Sequence, residues 1–159
     1  MLPFASAFEN NTYSDKETIE NLAERLFENA RFRATLRGLG KVLGMKTRMP
    51  NLSQWLAGRV VRGRHEIPLS SVELKQIIGT ESRADDFDSA FNPAGDRTRA
   101  RWVNIARLHL KDMPMPAVDL IRVSNDYFVR DGHHRISVAR AFGAKYIEAN
   151  ITVLDVDGG

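Results

Sequence analysis

Near its C-terminal end the chain reads Asp131-Gly-His-His-Arg135, which concentrates four polar, chemistry-bearing side chains around one glycine. The residues before it, Tyr127 to Arg130, have strand character, and those after it carry inward-facing Ile136, Ala139 and Phe142 at helical spacing. A strand that stops at such a turn and runs directly into a helix presents the helix's first backbone N–H groups at the positive end of its dipole, where anions bind. Gly132 permits a positive φ or close approach of a ligand, while His133, His134 and Arg135 add donors suited to phosphate oxygens. Asp131, last on its strand, could fix a histidine tautomer or orient a ribose or a metal-bound water. The plainer alternative is that Asp131 caps the helix and the histidines are ordinary turn residues. No metal site is expected, because adjacent histidines chelate one ion poorly and the chain has no cysteine to complete a set.

Phosphoryl chemistry at this turn needs a cation holder or base opposite the phosphate. Residues 79–96 are polar and largely acidic, so Glu81, Asp85 and Asp86 are the candidate catalytic carboxylates, with Asp88 beside them and His133 as the titratable group on the turn itself. Arg83 and Arg97 either reach the same anion or balance these acids. Carboxylates in a polar loop are equally compatible with a solvated surface, and Phe87 and Phe91 read as its anchors to the core. His109 lies on the apolar face of its helix and reads as a core histidine, whereas His65 has no chemical context.

From Arg31 to Arg64 there are nine Lys or Arg residues and no Asp or Glu, so the remainder carries −6 although the whole chain is +3. A run of this kind suits DNA, where neutralised phosphates release counterions, and it makes Arg31, Arg33, Arg37 and Lys41 the candidate nucleic-acid contacts. An anionic membrane or an acidic protein would be attracted by the same charge, and a solvated surface is the bland reading.

The elements that must position these groups follow from periodicity. After a loose stretch over residues 1–13, Ser14 and Glu17 have capping-box spacing, and Ile19, Leu22, Ala23, Leu26, Phe27 and Ala30 form one helical face. That face either pairs with a second copy, giving a homodimer through the N-terminal helix, or covers the chain's own core. Gly38, Gly40, Gly44 and Pro50 predict a mobile basic connector over 38–51, and Asn51-Leu-Ser starts a short helix. Ile67 to Val72 reads as an edge strand, 97–110 as a helix with Trp102, Val103, Ile105 and Ala106 on one face, and 117–123 and 127–130 as a hairpin. Arg135 to Phe142 is a helix ended by Gly143, and 146–154 a last strand. The order β, α, β, β, α, β predicts an α+β domain over 65–159 with a helical, basic appendage over 1–64.

A length of 159 residues suits one domain and is short for two. At 43% hydrophobic and 27% charged residues the composition is that of a folded globular chain, and the lack of cysteine excludes a disulfide framework and a thiol nucleophile. No apolar run is long enough to span a bilayer and no signal peptide is evident, so a cytoplasmic protein with no membrane partner is expected.

Tyr127-Phe-Val-Arg-Asp-Gly-His-His-Arg-Ile-Ser-Val-Ala-Arg-Ala-Phe-Gly143 resembles the ParB/sulfiredoxin superfamily. The likeness extends through Ile67-Pro-Leu, Asp86-Phe-Asp88, Arg101-Trp102 and Pro116-Ala-Val118, covering residues 66–154. It implies a small mixed sheet with helices and a turn, Gly132 to Arg135, that binds nucleotide phosphates: CTP in ParB proteins, which carry Gly-Glu-Arg-Arg, and ATP in sulfiredoxins, which carry Gly-Cys-His-Arg. Sulfiredoxin activity needs that cysteine, so His133 in its place excludes it. Partition proteins need the acidic residue and a downstream DNA-reading helix-turn-helix, and neither is found here. The resemblance leaves a nucleotide-binding module (ATP, ADP or CTP with Mg²⁺), a phosphotransferase or nucleotide hydrolase akin to free serine kinases, and a DNA-associated ParB-like protein or nuclease.

Overall fold

The computed structural model describes residues 12–82 and 85–157, with residues 12–17 described by backbone alone. The architecture is α+β. One mixed five-stranded sheet runs in the order β1 (Val61–Glu73), β5 (Tyr146–Val156), β3 (Val118–Val123), β4 (Asp126–Asp131), β2 (Ile77–Thr80). β1 is antiparallel to β5, β5 parallel to β3, β3 antiparallel to β4, and β4 parallel to β2. The hairpin joining β3 and β4 turns on Ser124, at φ 57°, with Val123 opposite Asp126.

Both faces of the central strands are apolar, as strands covered on two sides require. Val118, Leu120 and Val129 face one core, shared with α3 (Arg99–Leu110) and α4 (His133–Ala141), while Ile121, Val123 and Phe128 face a smaller one closed by α2 (Leu52–Trp55). Trp55 of α2 and Phe128 meet with ring centres 5.7 Å apart. In the larger core Trp102 is fully buried, donates its indole N–H to Ser137 Oγ at 2.8 Å and meets Phe27 edge-on at 5.5 Å.

Phe27 belongs to α1 (Thr12–Gly40), whose Ala23, Phe27 and Ala30 face closes on α3 of the same chain. Burying one such phenylalanine stabilises the fold by about 1.5–3 kcal/mol. Arg99 lies over the Phe27 ring and pairs with Glu24 and Glu28, which together with Arg107–Glu20 and Arg31–Asp96 tie α1 laterally to the segment around α3.

Several boundaries differ from expectation. α1 is already helical at Thr12, so Ser14 stands inside it and the last two residues of the stretch expected to be loose over 1–13 are helical; residues 1–11 and the Ser14 and Glu17 side chains lie outside the described residues. The helix also continues through Gly38, since one helical glycine costs only about 1 kcal/mol. The expected mobile connector is pinned: Met49 is buried, Arg48 bridges to Asp88, and Thr80 N–H donates to Pro50 O at 2.9 Å. β2, at the sheet edge opposite β1, is absent from the periodicity because four residues are too few to show alternation. β1 does lie at an edge, and its register shifts between Ile67 and Ser70, around Pro68. No described helix is long and apolar enough to cross a membrane.

Candidate functional site

β4 and α4 are joined by Gly132 alone, held at φ 106° and ψ 18°. A side chain there would place Cβ 2.5 Å from Val118 Cγ1, so both the dihedral and the space demand glycine. Because Gly132 takes the whole reversal, α4 begins at His133, two residues earlier than its hydrophobic spacing suggests, and no side chain caps it.

This early start turns both imidazoles inward. His133 and His134 are 3% and 7% exposed, where a ligand-facing role would leave them open. His133 Nε2 lies 2.6 Å from Thr80 Oγ1, at the end of β2. Phe87 meets both rings, stacked on His133 at 6.2 Å and edge-on to His134 at 5.2 Å. The acidic loop is therefore anchored directly to the turn, and Phe87 and Phe91 are the buried anchors expected of them.

Arg135 is also occupied within the fold. Its guanidinium donates to the carbonyls of Pro116 and Ala117 at 2.6 and 2.8 Å and to Asp131 Oδ2 at 2.6 Å. The chain entering β3 is thus fastened to α4, and the charge of Asp131 is balanced four residues along.

Arg101, one residue before buried Trp102, is exposed and forms no ion pair among the described residues. With Ile105 it faces a depression over Asp131, Gly132, His133, His134 and Arg135. At about 20 Å³ the depression has room for one water-sized group, so a tetrahedral anion would seat one oxygen in it and leave the others outward. Arg101 is not among the expected site residues because it lies in a helix distant in the chain; its signal in the sequence was the Arg101-Trp102 pair that shares in the resemblance.

The candidate carboxylates are spread out. Glu81 is the nearest in topology: its N–H donates to Val129 O at 2.9 Å, and its carboxylate pairs with Arg130 at 3.2 Å. Asp85 is exposed, 3.8 Å from Arg48, and Asp86 pairs with Arg97. Asp88 is nearly buried and organises its own loop, accepting from Ala90 N and Asn92 N at 2.8 and 2.9 Å. Arg83 lies outside the described residues. A cleft of about 540 Å³ on the far side of Phe87 is bordered by Lys41, Arg48, Asp85 and Asp88.

Of the basic candidates, Arg31 pairs with Asp96 at 2.6 Å, Arg33 donates to Asn92 Oδ1 at 3.4 Å, and Arg37 donates to Ser89 Oγ at 3.0 Å and lies 3.3 Å from Asp88. Lys41 is exposed at the cleft. His109 is half-buried against Phe142, ring centres 4.3 Å apart, and His65 lies 3.6 Å from the Asp155 carboxylate in the open. Among the described residues no three His, Asp or Glu side chains form a group able to hold a metal ion.

No protein-family model and no curated protein sequence matches the chain. Among solved structures it is similar to a crystal structure of sulfiredoxin from Arabidopsis thaliana, at 16% identity and a TM-score of 0.39, over 54% of this chain and 84% of that one. A likeness of that size leaves the α+β architecture resting on the strand order itself, and nothing about activity is taken from it.

Proposed function

We propose that the first turn of α4 binds a phosphate group of a nucleotide, with Arg101 as the cationic side chain that meets it. The observation that carries this reading is the convergence of Arg101 and the α4 N-terminus on one water-sized depression over Gly132. The helix dipole and the guanidinium both favour negative charge there. In this reading Asp131 and Arg135 organise the turn through their mutual bond, and His133 and His134 hold it from inside. The residues suit the phosphate of ATP, ADP or CTP. A Mg²⁺ ion would arrive on the nucleotide's own phosphates, since no three His, Asp or Glu side chains among the described residues form a group able to hold it.

A phosphotransferase is the second reading, favoured by Glu81, whose backbone bond to Val129 sets it beside the end of β4. Asp85, exposed beside Arg48, and Asp86, paired with Arg97, make no backbone bond to β4 among the described residues and are weaker candidates for that role. Nucleic-acid binding through segment 31–64 has less support, because Arg31, Arg33 and Arg37 have partners within the fold.

The experiment is calorimetric titration with ATP, ADP, CTP and GTP, with and without Mg²⁺, on the wild type and Arg101→Ala. Loss of one charged hydrogen bond predicts an affinity decrease of roughly ten-fold or more. No binding of any nucleotide, or equal affinity in the variant, overturns the reading. Arg135→Ala is a poor substitute, because it also unties β3 from α4. Phosphate transfer abolished by Glu81→Gln with binding retained would select the enzyme.

A further inference from the structure

α1 has a second apolar stripe that the core does not use. Phe32, Leu36 and Leu39 follow at helical spacing, and Leu36 stands about two and a half turns beyond Phe27, hence on the opposite side of the helix. All three are at least half exposed. The stripe runs on into a tip in which Val42 and Leu43 are 87% and 84% exposed, with Met45 alongside. The tip is a fixed turn: Gly44 takes φ 79° and its N–H donates to Lys41 O at 3.1 Å, while Met45 N–H donates to Gly40 O at 3.1 Å. Six large apolar side chains on one continuous surface are more than scattered exposure explains.

The surroundings narrow what covers them. The stripe lies within the segment that holds nine basic and no acidic residues; Arg31, Arg37, Arg48, Arg62 and Arg64 are ion-paired within the fold, and Arg33, Lys41 and Lys46 are exposed along it. A second copy docked symmetrically would set Lys41 and Lys46 against their own counterparts. Duplex DNA matches the charge and offers nothing to Phe32, Leu36 or Leu43. A protein groove would need a shape fitted to a convex tip, whereas a fluid bilayer conforms to one. Apolar side chains on a helix and its turn, bordered by lysine, are the pattern of an element lying in a membrane interface.

We propose that the surface from Phe32 to Met45 docks onto an anionic phospholipid bilayer, its apolar side chains entering the headgroup boundary while Lys41 and Lys46 meet lipid phosphates. This is a peripheral contact, independent of the α4 turn, and it needs no membrane-spanning segment.

The test is co-sedimentation of the full chain with vesicles of phosphatidylcholine alone and of phosphatidylcholine mixed equally with phosphatidylserine. The wild type is expected to partition onto the mixed vesicles and not the neutral ones, and to dissociate as salt is raised. Each basic residue at the surface contributes a factor of about five, so Lys41→Glu with Lys46→Glu lowers partitioning at least about 25-fold. Val42→Ser with Leu43→Ser removes the apolar tip without adding charge and lowers it at least about ten-fold. Both serines stand on exposed positions, so the melting curve stays that of the wild type. The proposal is overturned if the wild type does not sediment, if the serine variant binds as well as the wild type, or if light scattering reveals a dimer that the serine variant abolishes. Retention on duplex DNA without binding to vesicles overturns it equally.

Discussion

Replacing Gly132 by alanine tests the geometry of the turn with one methyl group. Alanine must adopt φ 106°, outside the regions open to L-residues, at about 1–3 kcal/mol. Its Cβ would also lie 2.5 Å from Val118 Cγ1 and 2.8 Å from Val118 Cβ, well inside the roughly 3.5–4.0 Å of ordinary carbon contacts. Overpacking of this kind costs a further 1–3 kcal/mol or so, giving a total of about 2–6 kcal/mol. Against a typical stability of about 5–15 kcal/mol, that is a large shift of the urea midpoint with an unchanged denaturant slope. The two contributions separate in a double-mutant cycle. Val118→Ala removes Cγ1 and its 2.5 Å contact but leaves Cβ at 2.8 Å and the dihedral strain, so the pair is expected to be less destabilised than the sum by about 1 kcal/mol. Circular dichroism during urea titration of the four proteins reads both quantities. A Gly132→Ala variant within about 0.5 kcal/mol of the wild type, or strict additivity with Val118→Ala, would refute the reasoning.

Three further outcomes are expected. Arg135→Ala should lower the urea midpoint, because three acceptors lose their donor, whereas Arg101→Ala should leave it unchanged; the reverse order would undo the division between organising and ligand-facing arginines. Ser137→Ala strands the buried indole N–H of Trp102 and should cost about 1–3 kcal/mol in the same titration, with a shift in Trp fluorescence on loss of the bond. Asp96 is held below the ordinary carboxylate range chiefly by a hydrogen bond from Arg99, and secondarily by Arg31. Its folded pKa being depressed, its contribution is present above the unfolded value near ~3.9 and lost as pH falls through the folded one, so Asp96→Asn should flatten the acid limb of stability below about pH 4. An acid limb identical to that of the wild type would show that the Arg99 bond is not formed in solution.

Elements built on long repeats of one spacing were legible in the sequence. The α3 face with Trp102, Val103 and Ala106 and the close of α4 at Gly143 appear where the pattern puts them, and the hairpin of β3 and β4 does too, with a turn one residue shorter than strands over 117–123 and 127–130 imply. What was not legible depends on contacts between segments distant in the chain. Nothing local indicates that Thr80 reaches His133, that Phe87 meets two histidines, or that Arg135 is held by the carbonyls of Pro116 and Ala117. The polarity of Asp131 to Arg135 marked the turn as special, but polarity does not distinguish donors aimed at a ligand from donors aimed at the protein. The stripe from Phe32 to Leu39 escaped notice because glycines break its run and because the helix carries apolar residues on two opposite sides.

The position of β5 has a consequence for the order in which the molecule is completed. Among the described residues β5 is the last strand, yet it lies between β1 and β3, and β1 has no other described neighbour in the sheet. While a ribosome is still adding residues after α4, the long first strand has nothing to hydrogen-bond with, and β3 has one bare side. Pairing at Ser71 and Glu148 can form only after β5 has emerged, so β1 joins the sheet later than β3 and β4 can pair. Until then the nascent chain carries two open strand edges, the condition under which unfinished proteins pair with one another or are held by chaperones.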